Sequence, residues 1–285
     1  MITAKIFFIM KTKLHYVLSI AMFLVIFYSF GQDSSWKSLK NIKNTNKIEG
    51  LGLNKNNAKF FKLDTAAFKA STQKTNLNSK KYATVSLPNF EGGFNTFNIK
   101  EVSVFEPSLA AKYPNIKSYR GTSTNKSGAK LYMSTSPKGI QAMVNYPNKP
   151  DVFIHQINKE NNEFVVYKAA SRKEERAKFS CLTKNSALIK EISKTKNLAK
   201  TNNNGGANGQ TLQKFRIAIS TNGEYSAFHG NNISGVLSGI NATLTRVNAV
   251  FETDMAITFE LVDATNLIFL NAETDPYSGV QNSEN

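Results

Sequence analysis

The sequence predicts an α+β chain, with an antiparallel β-rich region built as hairpins or a sandwich, followed by a strand–helix–strand unit. Three observations lead there. Seven short β-favouring runs lie between residues 81 and 183, separated by turn signals such as Gly92-Gly93, Ser127-Gly128, Pro137-Lys138-Gly139 and Asn161-Asn162. From residue 215, "FRIAIS" alternates, and then Ile233, Val236, Leu237, Ile240, Leu244, Val247, Val250 and Phe251 recur at spacings of three and four. Between the two lies "TNNNGGANGQT" (201–211), a composition that does not hold regular structure.

Residues 1–31 read as an export segment. Lys11 and Lys13 form a positive start, 14–30 is an apolar run, and "YSFGQ" puts small residues at Ser29 and Gly31, so that cleavage falls between Gly31 and Gln32. Met10 is an alternative start. The apolar run sits at the short edge for a membrane span, and a cleaved signal with no lasting membrane association is the expectation. Residues 32–80 are polar and rich in Lys and Asn, and are expected to be poorly ordered apart from one helix near 58–70, where Phe60, Phe61, Leu63, Ala67 and Phe68 fall near helical spacing.

The β-rich region, 81–183, carries "YATVSLPNF", "FNTFNIKEVSVF", "SYRGTST", "AKLYMSTS", "GIQAMVNY", "DVFIHQI" and "EFVVYKAAS", with one helical turn expected in "PSLAAKYP". A basic linker, 184–211, follows, with a domain boundary expected near 205. Its exposed Asn204, Gly205 and Gly206 are the natural place for proteolytic processing. In 212–285 the long helix is capped at Asn231 or Asn232. "MAITFELVD" is the second strand, parallel to the first, and "NLIFL" is a third β-prone run.

The net charge of +16 does not indicate nucleic acid. From residue 211 onward three basic residues face eight acidic ones, a balance of −5, so the preceding 210 residues hold +21. Only five of the 36 basic residues are Arg, the side chain that reads base edges and phosphate forks, and the Lys are dispersed among Asn and Ser. No nucleic-acid partner is expected.

The inventory of chemical groups is thin. His15 lies in the export segment, which leaves His155 on a strand and His229 at a turn before the long helix; two histidines do not make a three-histidine zinc site, and no H-E-x-x-H is present. There is no G-x-S-x-G elbow, and the glycines of the linker do not join a strand to a helix, so they make no phosphate cradle. The single cysteine, Cys181, excludes an internal disulfide framework in an exported chain.

The segment order, and the residues within it, resemble a known family. "FRIAISTNGEYSAFHG", "INATLTRVNAVFETDMAITFELVD" and "NLIFLNAETDPYS" resemble the start of the catalytic domain of secreted bacterial reprolysin-like zinc metallopeptidases, members of the metzincin group. "LPNFEGGFNTFNIKEVSVFEPSLAAKYPNIKSYRGTS" is similar to the proregion ahead of that domain. The resemblance implies a metzincin α/β catalytic domain of which only the N-terminal part lies within these residues. It also implies a proregion that packs on that domain, protein or peptide substrates, and a zinc cofactor in the complete family member. The family binds zinc through H-E-x-x-H-x-x-G-x-x-H, with the Glu activating water; no position here matches, so neither a zinc ligand nor a catalytic base is expected in this chain, which is expected to be a truncated, inactive portion. Cys181 has two readings, a small buried residue or, as in several metzincin zymogens, a proregion thiolate on the fourth zinc position. The alternative to a protease precursor is a secreted, non-enzymatic β-rich binding or adhesion module.

Overall fold

In the computed structural model, residues 35–40, 42, 46–169 and 211–277 are described, and those from Ser35 onward group into one unit. Nine strands make the larger sheet: β1 (Trp36–Leu39), β2 (Lys59–Leu63), β3 (Ala83–Pro88), β4 (Phe94–Val102), β5 (Lys117–Ser123), β6 (Lys130–Ser136), β7 (Gly139–Tyr146), β8 (Lys149–Asn158) and β9 (Glu163–Lys168). All pairs are antiparallel, in the order β1-β2-β9-β8-β7-β6-β5-β4-β3. From β3 to β9 each strand pairs with the next in sequence, by hairpins except at the longer β4–β5 connection, the outcome that short alternating runs with tight turns dictate. Asn162 turns the β8–β9 hairpin at φ 52°, a left-handed conformation that Asn tolerates.

Alternation gives the sheet two different faces. Phe97 and Ile99 of β4, Leu131 and Met133 of β6, Val152 and Ile154 of β8, and Phe164 and Val166 of β9 all point inward, and every strand supplies at least one residue to this core. The sheet curls so far that its outermost strands meet: the indole Nε1 of Trp36 on β1 donates to the Ser86 carbonyl of β3 at 2.9 Å. Phe61 and Phe94 close the same seam edge to face, with ring centroids 6.0 Å apart. Each fully buried side chain of this size contributes roughly 1.5–3 kcal/mol.

The segment 32–80 departs from expectation. Rather than staying poorly ordered, it supplies β1, helix α1 (Asn46–Gly50), β2 and helix α2 (Thr65–Thr72). The helix expected over 58–70 is a strand followed by a helix, because Phe61 and Leu63 enter the inner core while Phe60 packs on the opposite face with Ile48 and Val165. Asp64 marks the switch, its carboxylate accepting from the amides of Ala66 and Ala67 at 3.0 and 3.1 Å.

The "PSLAAK" turn forms helix α3 (Pro107–Lys112) between β4 and β5, with Pro at its first turn. Beyond residue 211 come β10 (Gln213–Ile217), helix α4 (Gly223–Phe228), helix α5 (Ile233–Asp254) and β11 (Ile257–Leu261). The two strands are parallel, with Phe215 opposite Phe259 and Ile217 opposite Leu261. Asn232 caps α5, its side chain accepting from the Gly235 amide at 2.8 Å. Asn222 caps α4, its side chain accepting from the Tyr225 amide at 3.0 Å. One local expectation fails. "NLIFL" forms no strand, only a 3-10 turn at Thr265–Leu267 and one bridge between Thr221 and Ile268.

Candidate functional site

Helix α5 has two working faces. The apolar stripe, with Val236, Leu237, Ile240 and Leu244 buried, lies against Leu261 and Ile217 of the small sheet. The same cluster draws in Val104, Phe105, Leu109 and Ile116, all from the β4–β5 connection of the larger sheet. The two-stranded sheet is therefore too small to cover the helix, and the neighbouring region completes its core.

The second face is polar and meets the outer surface of β5, β6, β7 and β8. Ser118, 1% exposed, stands within 2.9 Å of both Asn241 Oδ1 and Thr245 Oγ1, which are 2% and 4% exposed as residues. Asn241 Nδ2 donates to the Lys117 carbonyl at 3.2 Å. Arg246 donates to Gln141 Oε1 at 3.1 Å and lies 3.4 Å from His155 Nε2. Glu252 pairs with Arg120, and Ala249 fits between Tyr132 and Met143. A buried polar group is tolerated when its partners are met, and this seam meets them from both sides.

The outer edge of β11 is satisfied in two ways. Asn248 holds the backbone of Phe259 with both ends of its amide, accepting from N at 2.8 Å and donating to O at 2.9 Å. At Leu261 the partner is main chain from the β4–β5 connection: Leu261 N donates to the Val104 carbonyl at 2.7 Å, and Glu106 N to the Leu261 carbonyl at 2.9 Å. Residues 104–106 thus extend the small sheet by one parallel bridge. Glu106 adds a carboxylate that accepts from the Asp263 amide at 2.8 Å and from Arg216 at 3.1 Å. The amide hydrogen bond from Asp263 is the chief reason this carboxyl is held below its ordinary range, with Ser108 and Arg216 adding to it. Asp263 is lowered in turn, and Lys112 raised, by their mutual hydrogen bond.

His229 caps the C-terminal end of α4 and packs at a tilt against Tyr225, with ring centroids 4.4 Å apart. Its ring lies on the backbone of α5. A Cβ added at Gly239 would stand 2.3 Å from His229 Cε1, and one at Gly235 would stand 2.0 Å from the His229 carbonyl oxygen. Burial, and secondarily the Lys138 ammonium, hold the imidazole below its usual pKa and so favour the neutral ring. His155 lies on β8, packed at a tilt against Tyr167 and beside Arg246. The two histidines thus sit in separate packed settings. Among the described residues no group of three or more His, Cys, Asp or Glu is placed to hold a metal ion, so these residues do not fit a zinc site. Cys181, the Gly31–Gln32 cleavage point and Asn204, Gly205 and Gly206 lie outside the described residues.

The apolar stripe dominates the pattern of α5 and conceals the polar seam in the sequence. Its signal was present as a second stripe, Asn241, Thr245, Asn248 and Glu252, also at spacings of three and four.

Comparison with known proteins supports a metallopeptidase class for the strand–helix–strand segment. More narrowly, residues 211–285 match the family described as Metallo-peptidase family M12B Reprolysin-like, and this family is zinc-dependent and implies protein substrates. No curated protein matches the chain.

Proposed function

We propose that the chain is the N-terminal portion of a secreted zinc metalloendopeptidase precursor. In this reading 1–31 directs export, the β-rich region serves as a proregion packed on the front of its own catalytic domain, and 184–211 is where processing cuts. The observation that carries it is the family match over 211–285, supported by the parallel strand–helix–strand unit found there. The hydrolytic residues lie outside these 285 residues, in which no H-E-x-x-H occurs, and the chain alone is proposed to be inactive. Cys181 keeps its two readings, a small buried residue or a thiolate that occupies zinc before processing, and the extended protein separates them.

The test is to read the coding sequence that follows codon 285 and to express the extended protein. A downstream H-E-x-x-H-x-x-G-x-x-H and chelator-sensitive hydrolysis of a protein substrate are the expected results; no such motif in any frame would sink the reading. In the extended protein Cys181→Ala should raise activity before processing. Unchanged activity would remove the thiolate role while leaving the rest.

A further inference from the structure

We propose that the β4–β5 connection, residues 103–116, is an edge-strand donor and core plug that keeps 211–277 docked on the sheet after the backbone between residues 169 and 211 is cut. This rests on the reading of that stretch as a processing linker, and it concerns what happens next.

Three independent features carry it. Residues 104–106 supply main-chain hydrogen bonds to Leu261, the kind of strand addition that binds a segment in trans as well as in cis. Phe105 and Leu109, 2% and 0% exposed, fill the core of the other segment rather than the interior of their own sheet. Their withdrawal would bare the α5 stripe to water, an exposed patch that isolated soluble segments avoid. Charge is complementary as well: Lys112 and Arg120 of the basic region pair with Asp263 and Glu252 of the acidic one, and Arg216 pairs back to Glu106. The opposite balances of the two halves of the sequence find their use at this contact, where they favour encounter and register. The occupant is residues 211–277 of the same chain.

The full chain, with a protease recognition sequence replacing residues 203–208, is cut and passed over a sizing column at micromolar and then nanomolar concentration. The two pieces should co-elute at micromolar concentration. Phe105→Ala, and Glu106→Pro, which removes the amide that donates to Leu261, should each weaken association about tenfold or more. Arg120→Glu should weaken it less, and the exchange Arg120→Glu/Glu252→Arg should restore it. That exchange keeps the idea falsifiable if Glu106→Pro fails to fold, which circular dichroism of the sheet would reveal. Separation of the unaltered pieces at micromolar concentration would overturn the proposal, as would association indifferent to Phe105→Ala and to the charge reversal. Because the readout is association, an extended protein without peptidase activity would sink the functional reading and leave this one standing.

Discussion

The nine-stranded sheet and the strand–helix–strand segment solve the same burial problem in opposite ways. The sheet curls on itself until β1 and β3 are tied by Trp36, so its core is filled by its own strands and α2. The segment has two strands, the short α4 and the 22-residue α5, and finishes its core with Val104, Phe105, Leu109 and Ile116 borrowed from the sheet's β4–β5 connection. Self-sufficiency in the one and dependence in the other mark a junction built by packing. Sheet closure needs nothing from beyond residue 211, whereas the fold of 211–277 leans on residues far upstream.

That contrast can be broken most forcefully in the cores. Phe97→Ala, at a fully buried site of the sheet, should cost about 3–5 kcal/mol and lower the thermal midpoint of sheet and segment together. Leu237→Ala, in the α5 stripe, should cost about 2–5 kcal/mol but unfold 211–277 ahead of the sheet, seen as two transitions in calorimetry. A single shared transition in both variants would show that the segment is no more dependent than the sheet.

Smaller effects sharpen the comparison at the contact. Gly239→Ala should destabilise by about 1–3 kcal/mol in denaturant titration although alanine favours helix, because the new methyl meets the His229 ring. Asn241→Ala removes the amide that accepts from Ser118 and donates to the Lys117 carbonyl, leaving Ser118 with Thr245 alone, at a cost of about 1–3 kcal/mol by the same measurement. The Arg120–Glu252 pair, whose Arg side chain is 37% exposed, should couple by no more than about 1 kcal/mol in a double-mutant cycle.

The smallest effect is on pH. The folded pKa of His229 lies below its unfolded value near 6.5, so the stability it contributes is present above that value and declines as pH falls through the folded pKa. Glu106 and Asp263, also lowered, contribute above their unfolded values near 4 and lose that contribution at more acid pH. Denaturation midpoints should therefore decline from pH 7 to 5 in the unaltered protein. His229→Gln should flatten that decline; an equal slope in the variant would assign it elsewhere.

Much of this was legible beforehand where one face of an element is buried and the other wet. Strands β3 to β9 announce themselves by alternation, and α5 by its stripe and its Asn232 cap. Legibility failed where both faces are covered. Phe60, Phe61 and Leu63 lose their period of two because α1 covers the outer side of β2 while the core takes the inner side, and the run mimics a helix. "NLIFL" failed for the opposite reason: its composition favours a strand, but only Ile268 finds a ladder partner. The polar seam lay beyond a local reading, since Ser118 and Asn241 acquire meaning only from each other, across 123 residues.

The tie between β1 and β3 has a practical consequence. Trp36 is the sole tryptophan of the chain and is 3% exposed, so its fluorescence reports one event, the opening of the sheet's seam. Departure of 211–277 alone should leave its blue-shifted emission in place, while circular dichroism records the loss of helix α5. The molecule thus carries a built-in optical label that separates release of one part from unfolding of the other.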